Sequence, residues 1–341
     1  MAPFSERNCG NFLGSDQHPS SFDPETGITI RQPDQQGVGY WVGGPGVMWD
    51  APTNAYFLTY RRRRPAGTTP GRGYLSVIAR SDDGIHFEDI LAIHQDQLDT
   101  LSIERTCLRR LGDDLWALYI GFVDPADHRW RIDMVTATTP DRIDVRNRRP
   151  VLTAQSTGTE GVKDPYLVSV GPAQFLYVSY AATTEMTPAE RVAAHSTADI
   201  YNQGVTTAPT GLATSLDGQT FDWRGTALGV GAGWDKQQAR LNNVVACDGY
   251  FVGLYDGSAN AEENYEERCG LALSFDLTTW LSLTPRGPLY QSPHASRSMR
   301  YTDIVTAGPR LLLYYEYALA DGSHDLRVLP LSRPAAVQLQ S

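Results

Sequence analysis

Carboxylates and guanidinium groups recur at matched points along this 341-residue chain. Glu104 and Asp164 stand 60 residues apart, and so do Arg240 and Arg300. Asp164 lies in the stretch Glu160-Gly-Val-Lys-Asp-Pro-Tyr-Leu-Val-Ser-Val170. A proline pushes the residue before it out of the helical region, and an apolar, β-branched run follows. Asp164 therefore reads as the first residue of a strand, its side chain held at the strand mouth. Two carboxylates facing one enclosed space can cleave a glycosidic bond, one protonated to donate to the leaving oxygen and the other ionised as base or nucleophile. Burial and mutual repulsion are what split their pKa values. The arginines add planar forks that grip carboxylates or phosphates bidentately.

The elements that would position these groups repeat. An apolar strand comes first (Val42 to Trp49, Thr106 to Arg110, Pro165 to Val170, Asn242 to Ala246, Tyr301 to Thr306). After a polar turn comes an aromatic-rich strand: AYFLTY, LWALYIGF, QFLYVSY, YFVGLYDG and LLLYYEY. A third strand ends in a second polar turn. With Gly44, Glu104, Asp164, Arg240 and Arg300 as equivalent points the spacings are 60, 60, 76 and 60, the long gap holding an insertion at Thr187–Thr207 with a short helical segment. Five units of three or four antiparallel strands predict an all-β chain, a single five-bladed β-propeller. The blades fall at about 40–95, 102–155, 161–230, 238–292 and 298–333. Residues 1–39 close the ring, with Gly27 to Gln32 as an outer strand on the last blade. A pair of β-sandwiches, the competing architecture, predicts no such period.

In a propeller blade the start of the inner strand and the end of the second strand share a face, and the hairpin between them lies opposite. Asp50, Asp113, Asp114 and Asp248 fall in hairpins and read as turn formers. Glu104, Asp164, Arg240, Asn242, Arg300 and Asp303 fall at inner-strand starts, and Arg61, Asp256 and Glu316 at second-strand ends. Asp164, Glu104, Asp303 and Asp256 are the candidate catalytic residues. Arg105, Arg240, Arg300, Arg61, Asn242 and Trp41 are the candidates for substrate binding. The alternative is structural: Asp164 capping its strand against Lys163 or an arginine, and the arginines neutralising acids. Arg61 to Arg64 reads as a solvated loop with Arg61 facing inward. Trp41 and Trp234 are candidates for stacking on sugar rings, Tyr255 and Tyr301 for packing, and His294 and His324 for an acid, base or ion-binding role.

The motifs AYFLTYRR, KDPYLV, YFVGLYDG, SFDLTTW and RYTDIV resemble the five-bladed propeller glycosidases related to families 43, 32 and 62, over most of residues 40–330. The resemblance implies three acidic residues at the axis, with Asp164 matching the aspartate that modulates a pKa or stabilises the transition state. The chain departs from the family at the first inner strand, where Val42-Gly-Gly-Pro-Gly46 carries no carboxylate. Glu104, Asp256, Asp303, Glu316, or an N-terminal Asp16 or Asp23, are the candidates to replace it. The turns Ser81–Gly84 and Ser215–Gly218, followed by Phe87 and Phe221, resemble the structural Asp-boxes of sialidase propellers.

Composition narrows the partners. A net charge of −10 with two lysines, Lys163 and Lys236, argues against nucleic acid and anionic membranes. There is no apolar run long enough to span a bilayer and no secretory pattern at the N-terminus, so a cytoplasmic location is expected. Cys9, Cys107, Cys247 and Cys269 have no metal spacing and read as reduced thiols; no cofactor or metal is expected. The sequence thus points to a glycosidase-like enzyme acting on a small sugar-like substrate. The alternatives are a non-catalytic propeller binding an anionic or polyhydroxylated ligand, or one repurposed for other chemistry in specialised metabolism.

Overall fold

A computed structural model describes residues 22–331, residue 309 excepted. Nearly all of its regular structure is β. Strand β1 (Ile28–Arg31) precedes a meander of β2 (Trp41–Asp50), β3 (Ala55–Arg63), β4 (Leu75–Ser81) and β5 (Glu88–His94). The second meander is β6 (Ile103–Gly112), β7 (Leu115–Val123), β8 (Trp130–Ala137) and β9 (Arg149–Leu152). The third is β10 (Gly161–Val170), β11 (Ala173–Ala181), β12 (Thr210–Ser215) and β13 (Asp222–Leu228). Next come β14 (Gln238–Leu241), β15 (Val245–Ala246), β16 (Phe251–Ser258), β17 (Arg268–Ser274) and β18 (Leu281–Ser282). The chain ends in β19 (Met299–Ala307), β20 (Arg310–Ala318) and β21 (His324–Leu331).

The middle three groups form separate antiparallel sheets, while β19–β21 and β2–β5 run together as one eight-stranded sheet that includes β1. That fusion rests on one parallel pair, Trp41 with His324, whereas β1 adds antiparallel to β21. The insertion holds a helix, Pro188–His195, whose N-terminus is closed by a capping box between Thr187 and Glu190.

The first two strands of the long meanders bury both faces, which explains their near-continuous apolar character, while β5 and β13 are exposed on one side. On β3, Tyr56, Leu58 and Tyr60 pack with Tyr314 and Val328 of the last group, and Ala55 and Phe57 pack with Leu118 and Ile120 of the second. Tyr119 then joins Leu176 and Val178, Tyr177 joins Tyr255, and Leu254 joins Leu313. Each meander is thus stacked face to face on the next. The last group packs back on the first.

Buried tyrosines lock the stack. The turns at Ser81, Ser215 and Ser274 share one hydrogen-bond set, in which the serine Oγ accepts from the backbone N–H three residues on and the aspartate Oδ1 accepts from the N–H groups that follow. From the neighbouring group, Tyr314, Tyr119 and Tyr177 donate to the carbonyls of Gly84, Gly218 and Leu277 in these turns. The third turn was not legible as an Asp-box because Leu277, at φ 65°, stands where the other two have glycine. Cys107 and Cys269 are buried free thiols, and Cys9 lies outside the described residues. Tyr177→Phe leaves the Leu277 carbonyl buried and unpartnered, and it should lower the unfolding free energy by ~1–3 kcal/mol in urea titrations, without changing the slope.

Candidate functional site

The inner strands lose register at one matched point. The break falls between Gly43 and Gly46 in β2, Ile103 and Thr106 in β6, Lys163 and Tyr166 in β10, and Arg300 and Asp303 in β19. In the fourth group it splits the strand, so that β14 ends at Leu241 and β15 resumes at Val245 on the same partner. A bulge re-aims the side chains it carries. The residues set this way are Gly44, Glu104, Asp164, Asn242 and Tyr301. Asp164 and Tyr301 adopt φ of 58° and 51°, a left-handed conformation costly for any residue but glycine. This corrects the equivalence drawn from sequence: Asn242 and Tyr301, not Arg240 and Arg300, match Asp164. The arginines precede the break.

Tyr301, expected only to pack, is the centre of the cluster. Its hydroxyl lies 3.3 Å from Glu104 Oε2 and 3.4 Å from Asp164 Oδ1, and its backbone N–H donates to the Asp256 carboxylate at 3.0 and 3.2 Å. Oxygens so close to one hydroxyl are less than about 7 Å apart. Arg240 lies over the Tyr301 ring with its guanidinium carbon 3.8 Å from the centroid.

Around this centre acids and arginines alternate. Arg61 pairs with Glu104 at 2.7 Å, and Arg240 pairs with Asp164 at 2.8 Å and Asp256 at 2.6 Å. Arg300 bridges Glu267 at 2.7 Å and Glu316 at 2.6 Å, and His324 Nδ1 lies 2.8 Å from Glu316. Each of these side chains is at most 1% exposed. Asp303, Arg105 and Asn242 hold one another further along the strands: Arg105 reaches Asp303 at 3.3 Å and both oxygens of Asn242, and Asp303 also accepts from the Val47 N–H.

Burial pulls the acids one way and the arginines the other. For Glu104, burial raises the carboxyl, but Arg61, Lys163, Arg63 and Arg300 outweigh it and bring it down to about 2. Burial likewise loses to Arg300 and Arg240 at Glu267, and to Arg300, His324 and Arg61 at Glu316, so both stay ionised. At Asp256 burial wins, aided by repulsion from Glu267, and the carboxyl is pushed up to about 6. Burial also raises Asp303.

Other expectations fare differently. Trp41 is buried, donates to the Gly322 carbonyl and stacks on His324 rather than lining an open face. Trp234 packs on Tyr255 and donates to the Thr284 carbonyl, and Asp23 caps a surface turn. His294 pairs with Glu25 near the surface. Asp50 serves its turn, as read, and Asp16 lies outside the described residues. The Arg61–Arg64 run is a strand end, not a solvated loop: Arg61 and Arg63 point in, while Arg62 and Arg64 pair with Asp34. Glu267 joins this network from just before the third strand β17, neither an inner-strand start nor a second-strand end. Among the described residues Lys163 makes no ion pair with Asp164, which pairs with Arg240, and its ammonium lies over the Tyr201 ring instead. Among the described residues no group of three His, Cys, Asp or Glu is arranged for a metal ion, and no helix is long and apolar enough to cross a membrane.

No family model and no curated protein matches the chain. Solved structures do match its fold. A GH43_1 enzyme from Xanthomonas citri superposes with a TM-score of 0.58 at 13% identity, over 90% of this chain and 91% of that one. The RS223 β-xylosidase gives 0.60 at 9% identity, over 90% and 95%. An α-L-arabinofuranosidase from Lactobacillus brevis gives 0.57 at 16% identity, over 84% and 90%. The chain thus has the fold of these glycoside hydrolases along nearly its whole length.

Removing one partner of the buried network leaves uncompensated charge. Arg300→Met leaves Glu267 only Arg240 at 3.5 Å and Glu316 only His324 and a distant Arg61, and should cost ~3–5 kcal/mol of stability at pH 7 in chemical denaturation. Adding Glu316→Gln to that variant should restore part of the loss.

Proposed function

We propose that the chain is a five-bladed propeller acting on the glycosyl bond of a small sugar-like substrate at its axis. Two features support the five-blade reading: the stacked cores follow one another in cyclic order, and the eight-stranded sheet divides at its single Trp41–His324 pair. The observation that carries the activity is the Glu104–Tyr301–Asp164 contact, with Asp256 beneath the same tyrosine. Glu104, held ionised, is the base or nucleophile. Asp256, protonated below about pH 6, is the proton donor. Asp164 fixes Arg240 and, through it, the position of Asp256. On this assignment Glu104 takes the place of the acid missing at Gly44, one bulge along the ring.

A binding function has its own support, since each of these acids is closed in an ion pair and hidden from solvent. Hydrolysis of a panel of aryl furanosides and pyranosides, uronic acids included, separates the two. The enzyme reading expects turnover that Asp164→Asn abolishes with folding intact. No turnover, with ligand-induced thermal shifts kept in both proteins, establishes binding alone. The donor assignment sets the sign of the pH profile: kcat/KM should fall above about pH 6 as Asp256 loses its proton. Asp256→Asn should lower kcat/KM by ~10²–10⁴, least for aryl leaving groups that need no proton.

A further inference from the structure

The arginines singled out from sequence are all spent on carboxylates, but two other buried cations are not. Arg63 is 6% exposed, and its Nε and Nη1 have no hydrogen-bond partner. Lys163 is 1% exposed. Among the described residues neither makes an ion pair. Their neighbours are aromatic faces instead: Arg63 lies 4.6 Å from the Trp41 ring and 3.8 Å from that of Tyr265, and Lys163 Nζ lies 4.2 Å from the Tyr201 ring and 5.9 Å from that of Tyr265. A ring face attracts a cation without accepting its N–H bonds in the plane of the fork. Glu104, the acid both cations act on, is already ion-paired with Arg61 at 2.7 Å. Arg63 and Lys163 therefore bring buried positive charge to this corner that no carboxylate meets directly, Asp199 being paired with Arg72, and a buried charge without a counter-ion is costly.

Tyr265 is the outermost part of the corner. It is half-buried while Arg63, Lys163 and Trp41 behind it are buried, and its backbone sits at φ 77°. Its hydroxyl makes a 3.4 Å contact with Arg72. A tyrosine in a left-handed conformation is held there by its surroundings and gains when released.

We propose that Arg63 and Lys163 form an oxyanion subsite beside Glu104, which takes the carboxylate or phosphate of an acidic sugar once Tyr265 swings away. This rests on the sugar-substrate reading above for the rest of the ligand, but not on turnover. The chemistry is that of a forked guanidinium and an ammonium converging on one anion.

The test is calorimetric titration of the wild type and of Arg63→Met, Lys163→Met, Lys163→Arg and Tyr265→Ala, with glucose, glucuronate, glucose 6-phosphate and inorganic phosphate as probes. At least one anion should bind while glucose does not. Arg63→Met and Lys163→Met should each weaken that anion about tenfold or more, Lys163→Arg should keep it, and Tyr265→Ala should bind it at least as tightly. Glucuronate alone identifies a carboxylate subsite. Both phosphates without glucuronate identify a phosphate subsite. Glucose binding as well as the anions, or anion binding unchanged in both Met variants with native near-ultraviolet circular dichroism, overturns the proposal. Because binding is read without catalysis, anion binding with no glycoside turnover refutes the enzyme reading and leaves the subsite standing.

Discussion

An ionised group held out of water must meet opposite charge, and this chain buries many of them at the mouths of its inner strands. Arg61, Arg240 and Arg300 are each placed against acids from neighbouring strands, at 2.6–2.8 Å. The requirement works in two directions. It ties the stacked sheets together across their mouths, beside the apolar cores that hold Val42, Ile103, Val162 and Met299. It also sets the protonation of each acid by how much guanidinium it receives, so Glu104 and Asp256, both fully buried, end on opposite sides of their ordinary range. Stability and chemistry thus draw on the same contacts.

The bulge is the backbone device that makes this arrangement. A regular pleat would send alternate residues into the cores on either face of the sheet. The matched break near the start of each inner strand turns Glu104, Asp164, Asn242 and Tyr301 toward the axis instead. The strain at Asp164 and Tyr301 is held by the hydrogen bonds and ion pairs their side chains make there. Gly44, the fifth position, supplies no side chain. Its N–H donates to Glu316, so the acid that pairs with Arg300 also fixes the first strand.

Much of the fold was legible because period and turn chemistry are local. The 60-residue repeat, the Asp-Pro step and the Ser-x-Asp turns each leave a mark in a few consecutive residues. The convergence of the candidate residues was legible by strand end: Glu104, Asp164, Asp256, Arg240, Arg300 and Arg61 meet in one buried cluster. What failed depends on register, which slips unseen by one residue. Tyr301 was read as packing because Arg300 was aligned with Asp164, and Arg63 was read as solvated although it lies two residues beyond Arg61 on the same face of β3. Glu267 and His324 acquire their roles only through partners distant in sequence, Arg240 and Arg300 for one and Glu316 and Glu266 for the other. No spacing rule records such a pairing.

The central claim is that two buried carboxyls of this site are driven apart in pKa, Asp256 up and Glu104 down. Carboxyl-carbon NMR titration of protein labelled at aspartate and glutamate side chains measures this directly, in the wild type and in Asp256→Asn and Glu104→Gln. The account predicts a carboxyl resonance titrating near pH 6 that is lost in Asp256→Asn, and a Glu104 resonance that stays ionised to about pH 2. Both resonances titrating together in the ordinary carboxylate range would contradict it.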